Sequence, residues 1–193
     1  MISYKLGHFL DGPLAPVAKR IAIHPNILTI GGFVISAIAA VVIPLSPRVG
    51  GVLILLGGIC DMFDGVLARV NGRCTRFGAF LDSLFDRYSD AFIFLSIAWY
   101  LAGKGDHTGA FLSIGTMVGA LMVSYARARA ESLGINSQVG LMERSERILL
   151  LILGLLTGWL VPVLWILFVL THFTVVQRSY PVWRDRKESR KTR

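Results

Sequence analysis

Four aspartates lie close together in a stretch of the sequence that is otherwise largely apolar. Asp61 and Asp64 are three residues apart, and Asp82 and Asp86 are four apart, so each pair lies on one face of a helix. At an effective dielectric constant of 20, two like charges 4 Å apart repel by about 4 kcal/mol, and such a cluster therefore needs positive charge. The arginines between residues 60 and 90 are too few to supply it, and lysine is absent there. Hard oxygen ligands without a nearby histidine favour one or two magnesium or manganese ions over zinc.

The elements that must position these carboxylates are long apolar segments. Of the 193 residues, 54% are hydrophobic and 17% are charged, whereas soluble domains average about 45–50% and about 25%. A membrane-spanning helix needs about 20 mostly apolar residues. The sequence therefore predicts an all-α integral membrane protein with six transmembrane helices, the last two joined in a tight hairpin at Trp159 and Pro162. The predicted spans are 26–45, 49–70, 80–102, 108–130, 146–160 and 161–178.

The predicted spans divide the chain into three parts. Residues 1–25 carry apolar side chains at roughly helical spacing with basic residues off that stripe, which predicts an amphipathic helix lying in the membrane interface. Residues 26–180 form the predicted six-helix transmembrane domain, which carries the aspartates. Residues 181–193 form a basic tail that is expected to lie in the cytoplasm.

The net charge of +8 and a sequence pI near 10.0 raise the question of nucleic-acid binding. With six spans, all of the 20 basic residues except Arg48 and Lys104 lie on one side of the membrane. The positive-inside rule then puts both termini and the aspartate cluster on the cytoplasmic side of the cell membrane. The positive charge orients the chain and contacts anionic lipids, and we expect no nucleic-acid partner.

The aspartates also belong to a longer pattern that resembles the signature of the CDP-alcohol phosphotransferase family. The matching positions have fixed gaps between them: Asp61-x2-Asp64-Gly65-x2-Ala68-Arg69-x8-Gly78-x3-Asp82-x3-Asp86. The six spans, the interfacial helix and the segment 25–29 are similar to that family as well, so the resemblance covers nearly the whole chain.

The resemblance implies a homodimeric enzyme that joins a CDP-linked lipid to an alcohol and releases CMP. The four aspartates would hold two magnesium or manganese ions, and Asp86 would also take the proton of the alcohol. The residues implied to contact the cytidine diphosphate are Asp61, Asp64, Gly65, Ala68, Arg69, Gly78, Asn26 and Thr29. Asp90 continues the helix face of Asp86, and we expect it either to support the site or to make a polar contact between helices.

Basic residues at the ends of the fourth and sixth spans indicate the chemical class of the acceptor alcohol. Arg127 and Arg178 lie in otherwise apolar helix ends, and a guanidinium binds phosphate through paired hydrogen bonds, which favours a phosphorylated acceptor. Reaching lipid headgroups is the alternative role of these arginines. The segments resemble the family branch that makes phosphatidylinositol phosphate, with Arg127 at a position where lysine is common. That resemblance implies that Ser124, Arg127, Arg129 and Arg178 hold inositol phosphate.

The expected reaction is transfer of a phosphatidyl group from CDP-diacylglycerol, or its counterpart from an archaeal CDP-linked ether lipid, to inositol 1-phosphate. Glycerol 3-phosphate is the alternative acceptor. A small cation transporter is an alternative from another class, but its carboxylates would be expected near the bilayer midplane rather than at the ends of spans.

Overall fold

A computed structural model describes residues 25–70, 75–135, 137 and 139–189, and these residues contain helices and no strand. The predicted interfacial helix, apart from Pro25, and the last four residues of the basic tail lie outside the described residues. The helices are α1 (Pro25–Val42), α2 (Pro47–Val70), α3 (Arg76–Gly103), α4 (His107–Ser132), α5 (Arg144–Thr157) and α6 (Leu160–Ser189).

Each predicted span corresponds to one of these six helices, so the all-α class is confirmed. Within the described part of the chain, three helices are long and apolar enough to cross a membrane, over Pro47–Leu67, His107–Ser132 and Leu160–Asp185. α1 is apolar but shorter, and α5 has only 14 residues, fewer than the roughly 20 that a full span needs. α6 continues through Pro181 to Ser189 instead of ending at Arg178. The number of helices that cross the membrane stays a prediction.

The ends of the helices are fixed by side chains and a glycine. Thr75 precedes α3, and its Oγ1 accepts a hydrogen bond from the Gly78 amide at 2.9 Å. Asp106 begins α4 in the same way, because its Oδ1 accepts from the Gly109 amide at 2.7 Å. Gly158 ends α5 with a φ of 81°, a left-handed conformation that favours glycine. Only two residues then separate α5 from α6, which confirms the predicted hairpin at Trp159, whereas Pro162 lies in the first turn of α6 instead of at the bend.

The hydrophobic core lies mainly where α3, α4, α5 and α6 meet. Phe94, Ile97, Leu112, Leu155 and Leu164 are fully or almost fully buried there. Every helix also exposes large apolar side chains to its surroundings. An interior packed like that of a soluble protein combined with an apolar exterior is the pattern expected of a helix bundle surrounded by lipid.

Two glycines let α4 pack closely against α6. A Cβ atom at Gly115 would lie 2.5 Å from Cε2 of Phe168, and one at Gly119 would lie 2.5 Å from Oγ1 of Thr171. Both distances are far below van der Waals contact. Small residues of this kind let two helix backbones approach each other, and here they act within one bundle.

Replacing Gly119 by alanine is expected to destabilise the protein by about 1–3 kcal/mol, because the added methyl group overpacks the contact with α6. Gly58→Ala on the exposed side of α2 is the matched control, since nothing lies within 4 Å of its Cβ position. The measurement is the melting temperature of each variant in detergent, determined from the loss of monodisperse protein on heating. A Gly119→Ala variant as stable as Gly58→Ala would contradict this close packing.

Candidate metal and phosphate site

Three of the four predicted metal ligands meet at one end of the bundle. Asp61 on α2 and Asp82 and Asp86 on α3 are half-buried, and each offers an oxygen within 4.8 Å of the others. Such a set of carboxylate oxygens suits magnesium or manganese, so the donors fit the predicted ions. Asp64 and Ala68 lie on α2 close to Asp61, but their side chains are outside the described part of the chain.

Close packing of α1 against α2 fixes one side of this cluster. A Cβ atom at Gly32 of α1 would lie 3.4 Å from the carbonyl oxygen of Gly57 and 3.6 Å from Cβ of Cys60. The same position is 3.8 Å from the backbone nitrogen of Asp61. The absence of a side chain at Gly32 therefore lets α1 lie directly beside the part of α2 that carries the first carboxylate.

The residues predicted to contact the nucleotide lie on the same three helices. Asn26 and Gly78 meet where α1 and α3 begin, because a Cβ atom at Gly78 would lie 3.2 Å from Oδ1 of Asn26. Thr29 is buried one turn further along α1. On α2, a Cβ atom at Gly65 would lie 3.3 Å from Nη1 of Arg69. The structure thus brings Asn26 and Gly78 together, and their contacts with a nucleotide stay a prediction.

A guanidinium bridges two of the carboxylates. Nη1 of Arg144 lies 2.7 Å from Oδ2 of Asp61 and 2.8 Å from Oδ1 of Asp86. Arg144 is not among the predicted site residues. The signal that would have identified it is an arginine opening an apolar segment, three residues before a second arginine, Arg147.

A second ion pair lies deeper in the bundle, between Asp90 on α3 and Arg147 on α5. The two residues are only 4% and 1% exposed, and Nη2 of Arg147 donates to Oδ2 of Asp90. Oδ1 of Asp90, Nε of Arg147 and Nε of Arg144 are buried without a hydrogen-bond partner among the described residues. Burying charges is costly even when they are paired, so this pair is weak evidence for a purely stabilising role.

A cavity of about 160 Å³ opens beside Asp86, between α3, α4, the start of α5 and α6. Its wall contains five arginines but only three carboxylates, and this excess of guanidinium groups suits an anion. The lining residues are Asp86, Arg87, Asp90, Val123, Ser124, Arg127, Glu143, Arg144, Arg147 and Arg178.

Two of the residues predicted on α4 for phosphate binding line this cavity and one does not. Ser124 and Arg127 are in the wall, and Nε of Arg127 also lies 2.9 Å from Oε1 of Glu131 in an exposed pair. Arg129 is exposed and outside the lining, with Nη1 3.4 Å from Oγ of Ser132. Residues two apart on a helix do not share a face, which explains why Arg127 and Arg129 separate.

Arg178, the predicted phosphate ligand on α6, is held in place by backbone carbonyls. Its Nε donates to the carbonyl oxygen of Val139 at 3.1 Å, and its Nη1 donates to that of Val123 at 2.8 Å. The side chain is 3% exposed, and Nη2 lies 3.9 Å from Oε1 of Glu143. These contacts fix a guanidinium in the cavity wall before any ligand arrives.

The sequence is similar to known lipid-synthesising enzymes over most of its length. The sequence model of the CDP-alcohol phosphatidyltransferase family matches residues 22–177. The archaetidylinositol phosphate synthase of Methanothermobacter thermautotrophicus is 38% identical over 179 residues, which cover 89% of this chain and 89% of that protein. The phosphatidylinositol phosphate synthase of Mycobacteroides abscessus is 33% identical over 183 residues, covering 90% and 83%.

The fold of this chain is also similar to that of solved structures. The crystal structure of Mycobacterium tuberculosis phosphatidylinositol phosphate synthase with CDP-DAG bound is 31% identical, with a TM-score of 0.80 and coverage of 90% of this chain and 93% of that one. The same enzyme in complex with manganese and citrate has a TM-score of 0.81 at 31% identity, with coverage of 90% and 88%. This chain belongs to the CDP-alcohol phosphatidyltransferase family.

Proposed function

We propose that this protein transfers the phosphatidyl group of CDP-diacylglycerol, or its counterpart from a CDP-linked ether lipid, to inositol 1-phosphate and releases CMP. The observation that carries the proposal is that Asp86 belongs both to the carboxylate cluster and to the wall of the arginine-lined cavity. An acceptor whose phosphate is held in this cavity has its hydroxyl group beside a carboxylate. The names of the archaeal and mycobacterial relatives support inositol phosphate as that acceptor.

The carboxylate cluster is the proposed site of two divalent ions, magnesium or manganese. Asp61, Asp82 and Asp86 would hold them, together with Asp64, which the sequence pattern adds. Bound ions would neutralise the pyrophosphate oxygens of the donor and stabilise CMP as the leaving group. The Mycobacterium tuberculosis structure in complex with manganese supports a divalent ion in this family.

Asp86 is the proposed general base. The acceptor hydroxyl oxygen attacks the phosphorus that carries the lipid, the bond from that phosphorus to the oxygen of CMP breaks, and the hydroxyl proton passes to Asp86. A carboxylate can take this role because the proton is lost as the new bond forms. Asp86 is only 18% exposed at its side chain, so water competes weakly with an acceptor for this position.

The arginines of the cavity are the proposed ligands of the acceptor phosphate. Arg178 is positioned in advance by two carbonyls, whereas Arg127 is exposed and can leave its surface pair with Glu131 at little cost. The burial of Arg178 argues against the alternative in which it reaches lipid headgroups. Ser124 adds a hydroxyl group to the same wall.

We also propose that all six helices lie in the cell membrane, with both termini and the site on the cytoplasmic side, and that the protein is a homodimer. The apolar runs of α2, α4 and α6 and the one-sided distribution of basic residues support this topology. The competing cation-transporter function is disfavoured because the carboxylates lie at one end of the bundle, whereas a transporter's cation site is expected near the bilayer midplane.

Substituting Asp61 or Asp82 by asparagine should lower CMP release at least about 100-fold, more than the loss typical of an outer partner of a metal ligand. Asp185→Asn changes the charge equally on an exposed part of α6 and should leave the rate unchanged. Both the rate and the amount of membrane-inserted protein are measured. Full turnover of Asp61→Asn at saturating magnesium would refute its proposed role.

Arg178→Lys keeps the charge but cannot bond both carbonyls and a phosphate, so KM for inositol phosphate should rise about tenfold or more. KM for the lipid donor should change much less, because the residue lies on the acceptor side of Asp86. Arg48→Lys, exposed at the start of α2, is the control. Equal rises in both KM values would indicate a structural defect instead of lost phosphate binding.

A competition assay distinguishes the two candidate acceptors, inositol 1-phosphate and glycerol 3-phosphate. Purified protein with CDP-diacylglycerol and magnesium receives equal amounts of radiolabelled inositol 1-phosphate and glycerol 3-phosphate, and the labelled lipids are separated. We expect the inositol lipid to dominate, and the same assay with a CDP-linked ether lipid compares the donors. Preferential labelling by glycerol 3-phosphate would overturn the acceptor assignment while leaving the family chemistry intact.

A further inference from the structure

We propose that Asp90 is a positioning residue that receives the side chain of Arg144 when divalent ions occupy the carboxylate cluster. The inference rests on the metal site of the proposed function and adds to it a role for two residues that neither metal binding nor proton transfer requires. Three features of the structure lead to it: the position of Arg144, the partnerless atoms beside it, and the fixed position of Asp90.

Arg144 and a divalent ion compete for the same oxygens. Nη1 of Arg144 lies 2.7 Å from Oδ2 of Asp61 and 2.8 Å from Oδ1 of Asp86. Magnesium takes oxygen ligands at about 2.0–2.1 Å, so an ion held by Asp61 and Asp86 would compete with the guanidinium for these oxygens. Two cations in contact repel, and Arg144 must therefore move when the ions bind.

Asp90 is the acceptor that the structure offers for this movement. Nε of Arg144 lies 3.8 Å from Oδ1 of Asp90, just beyond hydrogen-bond distance. Both atoms are buried without a hydrogen-bond partner among the described residues. A shift of about 1 Å would satisfy both groups at once and would move the guanidinium away from the metal ligands.

Asp90 is itself held in place for this role. Its other oxygen, Oδ2, accepts from Arg147, so the carboxylate cannot turn away from Arg144 without breaking a buried ion pair. Asp90 also lies one turn after Asp86 on the same face of α3, directly beyond the metal ligands. Arg144 can therefore pass from Asp86 to Asp90 and still contribute its charge to the cavity wall.

The test measures manganese binding to the purified full-length protein, and the electron paramagnetic resonance signal reports the concentration of free Mn²⁺. Asp90→Asn should weaken binding about tenfold, because Arg144 then has no partner away from the metal ligands. Arg144→Gln should tighten binding, because the competing charge is gone. In the double variant, Asp90→Asn should change the affinity less than about twofold relative to Arg144→Gln alone.

The double variant separates positioning from a direct electrostatic effect of Asp90 on the ions. A tenfold loss that persists in the Arg144→Gln background would overturn the proposal, as would unchanged binding by Asp90→Asn in the wild-type background. Asp185→Asn controls for net charge, and monodisperse elution checks folding. If Asp90→Asn fails to fold, the Arg144→Gln variant decides, and binding no tighter than wild type would refute the role. A wild-type protein that binds no Mn²⁺ would refute the metal site of the proposed function itself.

Discussion

The rest of the site depends on the electrostatic repulsion among carboxylates that the helix bundle holds close together. Water screens this repulsion poorly, because the carboxylates are half-buried. Asp61, Asp82 and Asp86 place oxygens within 4.8 Å of one another, and such a group persists only beside positive charge. Arg144 supplies that charge from the first residue of α5. The need for a cation therefore also fixes where α5 begins relative to α2 and α3. The ion pairs that balance the charge of the site therefore also hold α5 against its neighbouring helices.

The same constraint explains why acidic and basic residues alternate through the interior. Moving away from the cluster, the order is Asp86, Arg144, Asp90 and Arg147, with Glu143 and Arg178 across the cavity. Each charge has a neighbour of opposite sign, but arginines outnumber carboxylates around the cavity itself. The interior is thus neutral enough to fold and still positive on the side that faces an anionic ligand.

The sequence predicted that Asp61, Asp82 and Asp86 meet, because helical spacing and a short connection between neighbouring helices bring them together. It could not predict which carboxylates Arg144 and Arg147 contact, because these arginines reach Asp61 and Asp90 from 83 and 57 residues away. That approach depends on how α5 packs against α2 and α3, and no local pattern encodes it. Arg129 shows the opposite case. The family resemblance implies a role beside Arg127, and helical geometry turns Arg129 away from the cavity, so its contact with a phosphate stays a prediction.

The shortness of α5 has a consequence for how two dissimilar molecules can meet. At about 1.5 Å per residue, its 14 residues extend about 21 Å, whereas the 30 residues of α6 extend about 45 Å from the same hairpin. The segment before α5 continues beside α6 without forming a helix, since the amides of Leu141 and Met142 donate to the side chains of Gln177 and Thr174, and the polar recess formed by the arginine-lined cavity opens near the start of α5. In the proposed membrane orientation, a water-soluble acceptor enters that recess while a lipid donor keeps its tails in the bilayer. The shortness of α5 would thus let a substrate from the aqueous phase and one from the lipid phase meet at a single reaction centre.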